Sequence, residues 1–176
     1  MTIEETQKEI IDEFKKYENW FDKRKHLIRL GKKLPYQNKA RAADANLIRG
    51  CQVSTWFYSE FVGGKMFYEI DSSSAMVKGV AALLVRIFSG QKPDDICRAG
   101  LSFIEDAGLS EDFSPIRANS LLKMLGRIKS DAQIHLGEND RSLPLPAVVP
   151  QDERAPRPNI KQIIKKIYAK MRNVAR

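Results

Sequence analysis

The chain has 176 residues, of which 43% are hydrophobic and 30% charged, with a formal net charge of +8. This length suits one ordinary domain with a short appendage, and the hydrophobic share excludes a disordered chain. The longest aliphatic run, Val80 to Val85, falls far short of the about 20 apolar residues of a membrane span. The acidic start of the chain resembles neither a secretory signal nor a transit peptide, so we expect a soluble, cytoplasmic protein.

The positive charge is concentrated at one end of the chain. Residues 151–176 carry eight basic and two acidic side chains, whereas the first 150 residues carry 22 and 20. A nucleic-acid-binding function would therefore depend on the tail. Tyr168 is the only aromatic residue beyond residue 131, so this tail has little with which to stack on bases.

The first part of the chain has the periodicity of helices. Thr2 and Glu5 have the spacing of a capping box, and apolar residues follow at intervals of three and four. Asn19 is suited to cap a second helix, which we expect Gly31 to end. Residues 35–44 are polar and irregular, which is typical of a loop.

The periodicity then changes to that of β-strands. Residues 47–48, 53–61 and 65–70 are rich in β-branched and aromatic side chains. Gly63-Gly64 lies between the last two runs and is a strong hairpin signal. These runs predict one three-stranded antiparallel sheet over roughly residues 45–70.

Helical patterns return after this sheet. One of the serines at 72–74 would cap a helix that ends near Gly90, and Pro93 and Ser114-Pro115 mark two further helix starts. A small sheet between N-terminal and C-terminal helices makes the predicted fold class α+β.

The last part of the chain differs in composition. Of the eight prolines in the whole chain, five lie within residues 137–158, which predicts an extended linker. An amphipathic basic segment follows Asn159, and its apolar side favours docking on this domain, a second copy or a partner. We therefore divide the chain into a domain over 1–130, a proline-rich linker over 131–158 and a basic helix over 159–176.

Two cysteines and two histidines are the candidate reactive residues. Their spacing matches no zinc site, and two thiols cannot supply the four that an iron–sulfur cluster needs from one chain. Cys97 lies within a helical pattern, where we expect it to be buried and inert. Cys51 lies on a predicted tight loop between strands, where it either presents its sulfur to a partner or packs as a small hydrophobic residue.

The surroundings of Cys51 resemble the Gly-Cys-Gln-x-x-x-Trp segment of the SufE family, through residues 46–52 and Trp56. These proteins are sulfur acceptors for cysteine desulfurases in iron–sulfur cluster biogenesis. Residues 71–79 resemble the family segment that opens its central helix, and residues 114–124 resemble its Ser-Pro-x-Arg-x-x-Gly-Leu-x-x-Met segment. Residues 19–35 are similar to the family's opening, so the resemblance extends in order over residues 10–130.

The resemblance implies a fold of the SufE and IscU type and a persulfide carried by Cys51. The Cys51 thiolate would attack the terminal sulfur of a persulfide on the desulfurase. The family resemblance makes Gly50, Gln52, Asp71 and Arg117 the supporting or partner-binding residues. Loop support and contact with the desulfurase are one interpretation of Asp71 and Arg117; helix capping and a surface ion pair are the other.

The implied partners are a SufS-like cysteine desulfurase and a downstream iron–sulfur scaffold. The desulfurase holds the pyridoxal phosphate, so no cofactor is expected on this chain. A homodimer remains open, and neither a membrane nor a metal ion is expected. The protein would activate the desulfurase rather than act as a stand-alone enzyme. The alternatives are a related scaffold or adaptor without sulfur transfer, and a nucleic-acid-binding module that uses the tail.

Three positions depart from the family pattern. Val53, Ser73 and Ser120 stand where serine, aspartate and glycine are common in the family. None of them removes the cysteine. His26 and His135 lie outside the matching segments, so we do not expect either to act as a base for Cys51.

Overall fold

The computed structural model describes residues 1–35, 40, 43–109 and 114–136. The elements in chain order are α1 (Ile3–Phe14), α2 (Trp20–Lys33), β1 (Thr55–Val62), β2 (Lys65–Ser72), α3 (Ala75–Phe88), α4 (Pro93–Arg98), α5 (Phe103–Asp106) and α6 (Pro115–Ile134). The fold is α+β, as predicted. The basic helix predicted over 159–176 lies outside the described residues, as does most of the linker. No helix in the described ranges is long and apolar enough to cross a membrane.

The helix starts follow their local sequence signals. Thr2 Oγ1 accepts a hydrogen bond from the Glu5 N–H, and the Glu5 carboxylate accepts one from the Thr2 N–H, which confirms the capping box. The Asn19 side chain caps α2, and Ser74 caps α3 by accepting from the Val77 N–H at 3.4 Å. These starts could be predicted because each depends on residues at most three positions apart.

The hairpin forms as the glycine pair predicts. β1 and β2 pair antiparallel from Thr55 opposite Ser72 to Val62 opposite Lys65. Both turn glycines have positive φ values of 58° and 78°, which glycine adopts without strain. Alternate residues of β2 face the core: Met66, Tyr68 and Ile70 are buried.

The three-stranded sheet is not confirmed. Within the described residues the sheet has two strands, and Leu47 forms only an isolated antiparallel bridge to Trp56. The Ile48 N–H donates to the Thr55 carbonyl at 2.8 Å, but the chain then turns at Gly50, where φ is +74°. Two extended residues between a 3-10 turn and this bend are too few for a strand.

Gly31 does not end α2, which continues to Lys33. A Cβ at Gly31 would lie 2.7 Å from the backbone nitrogen of Gly79 in α3. A Cβ at Gly79 would in turn collide with the carbonyl oxygen of Leu27 in α2. The two glycines therefore allow α2 and α3 to cross in close contact, a role that the sequence pattern around Gly31 could not reveal.

The core is built around α3, which packs against α1, α2, β2 and α6. Its apolar residues at helical spacing, which include Val80, Leu83, Leu84 and Ile87, are buried. On the other side of the core, α6 packs against α3, α4 and β1. This arrangement brings the first turns of α6 close to the loop that precedes β1.

The long helix α6 continues past residue 130, where the sequence predicted the domain to end. Ala132 is fully buried, and the Asp131 carboxylate accepts from the Ser59 hydroxyl at 2.5 Å and from Arg127 Nε at 2.9 Å. The last turn of α6 is therefore packed against the domain. How residues 137–176 are divided stays a prediction.

Lys129 is a buried cation that closes the end of α4. It is 4% exposed, and its ammonium donates to the carbonyls of Ile96, Cys97 and Ala99 at 2.5, 2.9 and 2.6 Å. Burial lowers the pKa of Lys129 to about 8, so the charged form still predominates at neutral pH. A cation at this place satisfies carbonyls that the end of a helix leaves without intrahelical partners.

We expect Lys129→Met to destabilise the protein by about 1–2 kcal/mol, because three carbonyl oxygens lose their donor. Urea unfolding followed by circular dichroism would measure the change. Lys8→Met, at an exposed position of α1, is the control and should stay within about 0.5 kcal/mol of the parent protein. Equal stability of the Lys129 variant and the parent would contradict this role.

Candidate functional site

Cys51 follows a turn that carries the chain from the bridge at Leu47 towards α6. The turn depends on Gly50, whose φ of +74° lies in the left-handed region that other residues rarely adopt. A Cβ at Gly50 would also collide with the Lys123 ammonium. Gly50 is thus favoured by its backbone conformation, and a side chain there would have to displace the end of the Lys123 side chain.

Two side chains of α6 hold the Cys51 loop (residues 49–53). Lys123 Nζ donates to the Arg49 carbonyl at 2.8 Å, and Asn119 Nδ2 donates to the Gly50 carbonyl at 3.3 Å. Asn119 and Lys123 are four residues apart and therefore lie on the same face of α6. The two peptide carbonyls that precede Cys51 are bound by this face.

The Cys51 thiol is partly buried. Burial raises the pKa of this thiol above its usual range, because an anion is poorly solvated there. The Lys123 charge and the Ser120 and Thr55 hydroxyls favour the thiolate and offset part of this rise. Both hydroxyl residues are themselves fully buried. Cys51 is therefore a shielded thiol with donors for an anionic sulfur around it.

A network of hydroxyl groups connects the start of β1 to the start of α3. Thr55 Oγ1 lies 3.3 Å from Ser72 Oγ. The Ser54 carbonyl accepts from Ser72 Oγ at 3.0 Å and from the Ser73 N–H at 2.9 Å. These bonds hold the segment that contains Thr55, whose hydroxyl interacts with Cys51.

The other residues chosen from the sequence occupy different surroundings. Gln52 is exposed next to Cys51, and Arg117 is partly exposed in the first turn of α6, two residues before Asn119. Asp71 is 2% exposed, and its carboxylate pairs with Lys78 at 3.0 Å and accepts from the Ser72 N–H at 2.8 Å. Asp71 thus ties the end of β2 to α3, next to the hydroxyl network.

Cys97 and the two histidines lie elsewhere in the fold. Cys97 is in α4 and is partly buried, not fully buried as expected. His26 packs between α1 and α2, where Nε2 contacts the Glu13 carboxylate at 2.5 Å. The His135 ring stacks on Phe61, with 4.4 Å between ring centroids, at the far end of β1.

The sequence did not single out Lys123 or Thr55 as site residues. Lys123 is 74 positions from the carbonyl it binds, and no local pattern connects the two. The helical spacing of Asn119 and Lys123 places them on one face, but only the tertiary packing of α6 brings that face to the Cys51 loop. Thr55 is one of many β-branched residues in a strand and carries no distinguishing signal.

Comparisons with known proteins show which family this chain is similar to. The model of the SufE family, described as the Fe-S metabolism associated domain, matches residues 8–132. An uncharacterised SufE-like protein of Rhizobium meliloti is 33% identical over 130 residues, which cover 71% of this chain and 93% of that protein. SufE-like protein 1 of Arabidopsis thaliana, named chloroplastic/mitochondrial, is 34% identical over 76% of this chain but only 37% of its own length.

The fold is similar to that of a solved protein. The solution structure of a hypothetical protein from Thermus thermophilus superposes with a TM-score of 0.61 and 21% sequence identity, over 73% of this chain and 94% of that one. This likeness concerns the fold alone. The family match, by contrast, extends from the middle of α1 through most of α6 and contains Cys51. The chain belongs to the SufE family.

Proposed function

We propose that this protein accepts persulfide sulfur from a cysteine desulfurase on Cys51 and passes it to iron–sulfur cluster assembly. One observation carries the proposal: the Cys51 thiol is partly shielded, and a cation and two hydroxyl groups surround it. Membership of a family associated with Fe–S metabolism supports the same conclusion.

The transfer step is a thiol exchange. The Cys51 thiolate attacks the outer sulfur of the desulfurase persulfide, a new S–S bond forms on Cys51, and the bond between the two sulfurs of the donor breaks. The electron pair leaves with the donor cysteine as a thiolate, which takes up the proton that Cys51 gave up. No net oxidation occurs, and Cys51 ends as a persulfide.

The shielding of Cys51 serves the carrier role. A raised pKa keeps most of the free thiol protonated at neutral pH and limits its reaction with stray electrophiles. The same surroundings limit access of small thiols to a bound persulfide. In this proposal the protein is an activator of the desulfurase and an acceptor of its sulfur, and the pyridoxal phosphate is held by the desulfurase. We propose that the protein acts in the cytoplasm.

The direct test combines two measurements. Desulfurase turnover of free cysteine is followed with and without this protein, and the intact mass of the protein is then determined under non-reducing conditions. We expect faster turnover and a mass increase of one sulfur atom. If the protein neither speeds up desulfurase turnover nor gains a sulfur atom, the proposal is wrong.

A truncated protein that ends at residue 136 should fold and accept sulfur. All described elements remain, including the last turn of α6 with its buried Ala132. A truncation at residue 130 removes that turn and the contacts of Asp131, so we expect it to be less stable by at least about 1 kcal/mol. Thermal unfolding and sulfur uptake of both proteins would check this, and failure of the longer one to fold would assign residues 137–176 to the domain.

A further inference from the structure

We propose that Lys123 is a positioning residue for the sulfur of Cys51, because its ammonium group holds the Cys51 loop on α6 and provides the counter-charge for an anionic sulfur. The inference rests on the proposed function and deepens it. It concerns a residue that lies within the family-like segment over residues 114–124, but at a position where the family pattern specifies no residue type.

The geometry places the ammonium group against the chain just before Cys51. Lys123 Nζ donates to the Arg49 carbonyl at 2.8 Å and occupies the space that a Cβ of Gly50 would need. A lysine ammonium has three N–H donors, so the bond to Arg49 uses one of them. The charge is thus fixed next to the peptide that carries the sulfur.

The Lys123 charge can stabilise an anionic sulfur on Cys51. Lys123 and Ser120 from α6 and Thr55 from β1 favour the anionic form of Cys51, and Lys123 is the one of these three that carries a charge. A resting thiol is neutral and needs no counter-charge. A thiolate needs one, and so does a persulfide, which is a stronger acid than a thiol and is largely anionic at neutral pH.

Burial makes the counter-charge more important. An anion in a partly buried site loses part of its solvation, and a nearby cation offsets that loss more effectively than it would in water. The Ser120 hydroxyl already donates to the Ile116 carbonyl at 3.0 Å, so it must turn away from that bond to serve the sulfur. Lys123 needs no such change, because its hydrogen bond to Arg49 leaves its charge in place.

The test measures the pH dependence of Cys51 alkylation by iodoacetamide in the full chain. All proteins carry Cys97→Ser, so that one thiol reacts. Lys123→Met should raise the midpoint of the pH profile by about half a unit, which leaves about threefold less thiolate at neutral pH. Lys123→Arg, which keeps the charge and a donor, should retain the parent profile.

Lys65→Met is the matched control, since it removes an exposed lysine at the opposite end of the hairpin from Thr55. It should leave the profile unchanged. An unchanged or lowered midpoint in Lys123→Met overturns the proposal. A lowered midpoint would mean that the substitution changes the pKa of Cys51 mainly by releasing the Cys51 loop and not by removing the Lys123 charge.

A second arm tests the loaded sulfur. Cys51 is converted to a mixed disulfide and then treated with hydrosulfide, which leaves a persulfide on Cys51 and releases the other thiol. The ultraviolet absorbance of the persulfide anion is followed against pH. We expect Lys123→Met to raise this titration midpoint as well, and an unchanged persulfide midpoint would overturn the counter-charge role.

Neither arm uses a desulfurase, so the inference and the proposed function can fail separately. A Cys51 that shows the Lys123-dependent profiles but takes no sulfur from a desulfurase would remove the proposed function alone. A Cys51 that takes sulfur equally well with unshifted profiles in Lys123→Met would remove the inference alone.

Discussion

The Cys51→Ser protein should take up no sulfur from a cysteine desulfurase and should no longer stimulate it. The physical reason is that a serine hydroxyl has almost no anion at neutral pH and does not attack a persulfide, whereas even a thiol with a raised pKa retains some thiolate. The substitution replaces one partly buried small side chain, so we expect stability to change by less than about 1 kcal/mol. Sulfur uptake by the parent protein and by the variant is measured as an increase in intact mass of one sulfur atom. The sulfur adduct is then located by peptide mapping under non-reducing conditions.

Cys97→Ser is the matched control, because it changes the same residue type at a partly buried position in α4. It should keep most of the sulfur uptake and of the desulfurase stimulation. An adduct on Cys97, or an undiminished adduct on the Cys51→Ser protein, would show that the carrier role belongs to a different residue. The Cys51→Ser protein should also compete with the parent protein if partner binding persists.

The second large effect concerns stability. We expect Gly79→Ala to destabilise the protein by about 2 kcal/mol, although alanine favours a helix over glycine by about 1 kcal/mol. The new Cβ would lie 2.8 Å from both the carbonyl carbon and Cγ of Leu27 and closer still to its carbonyl oxygen. Backbone atoms of α2 cannot move aside without shifting the whole helix, so α2 and α3 must separate.

Gly126→Ala is the control and should have the opposite sign. Gly126 lies in α6, and a Cβ there would meet no atom within 4 Å. Only the helix preference remains, so we expect a gain of about 0.5–1 kcal/mol. Chemical unfolding of both variants measures the pair, and a Gly79→Ala protein as stable as Gly126→Ala would show that the helix crossing tolerates a wider spacing.

Much of the fold and the central residue of the site could be predicted from local patterns. The caps at Thr2, Asn19 and Ser74 depend on hydrogen bonds across three residues, and the hairpin depends on two adjacent glycines. The family resemblance around Cys51 depends equally on consecutive residues. Interactions within such short segments are present in the sequence as spacing, and spacing can be read directly.

Other features depend on contacts between distant segments. The segment over residues 47–48 has the composition of a strand but pairs with β1 only at the bridge between Leu47 and Trp56, because the turn at Gly50 directs the chain to α6. Gly31 has the appearance of a helix end, yet its place is set by Gly79, 48 positions later in the numbering. Neither outcome leaves a local signal.

The site itself divides in the same way. Cys51, and the glycine that precedes it, could be identified from residue types and order. The surroundings that decide how this thiol behaves come from Lys123, Asn119 and Ser120, which reach it only because α6 packs across the start of β1. The proposed reactive sulfur is therefore encoded locally, whereas its burial, its pKa and the cation near it are properties of packing, because they depend on which distant atoms displace water around the sulfur.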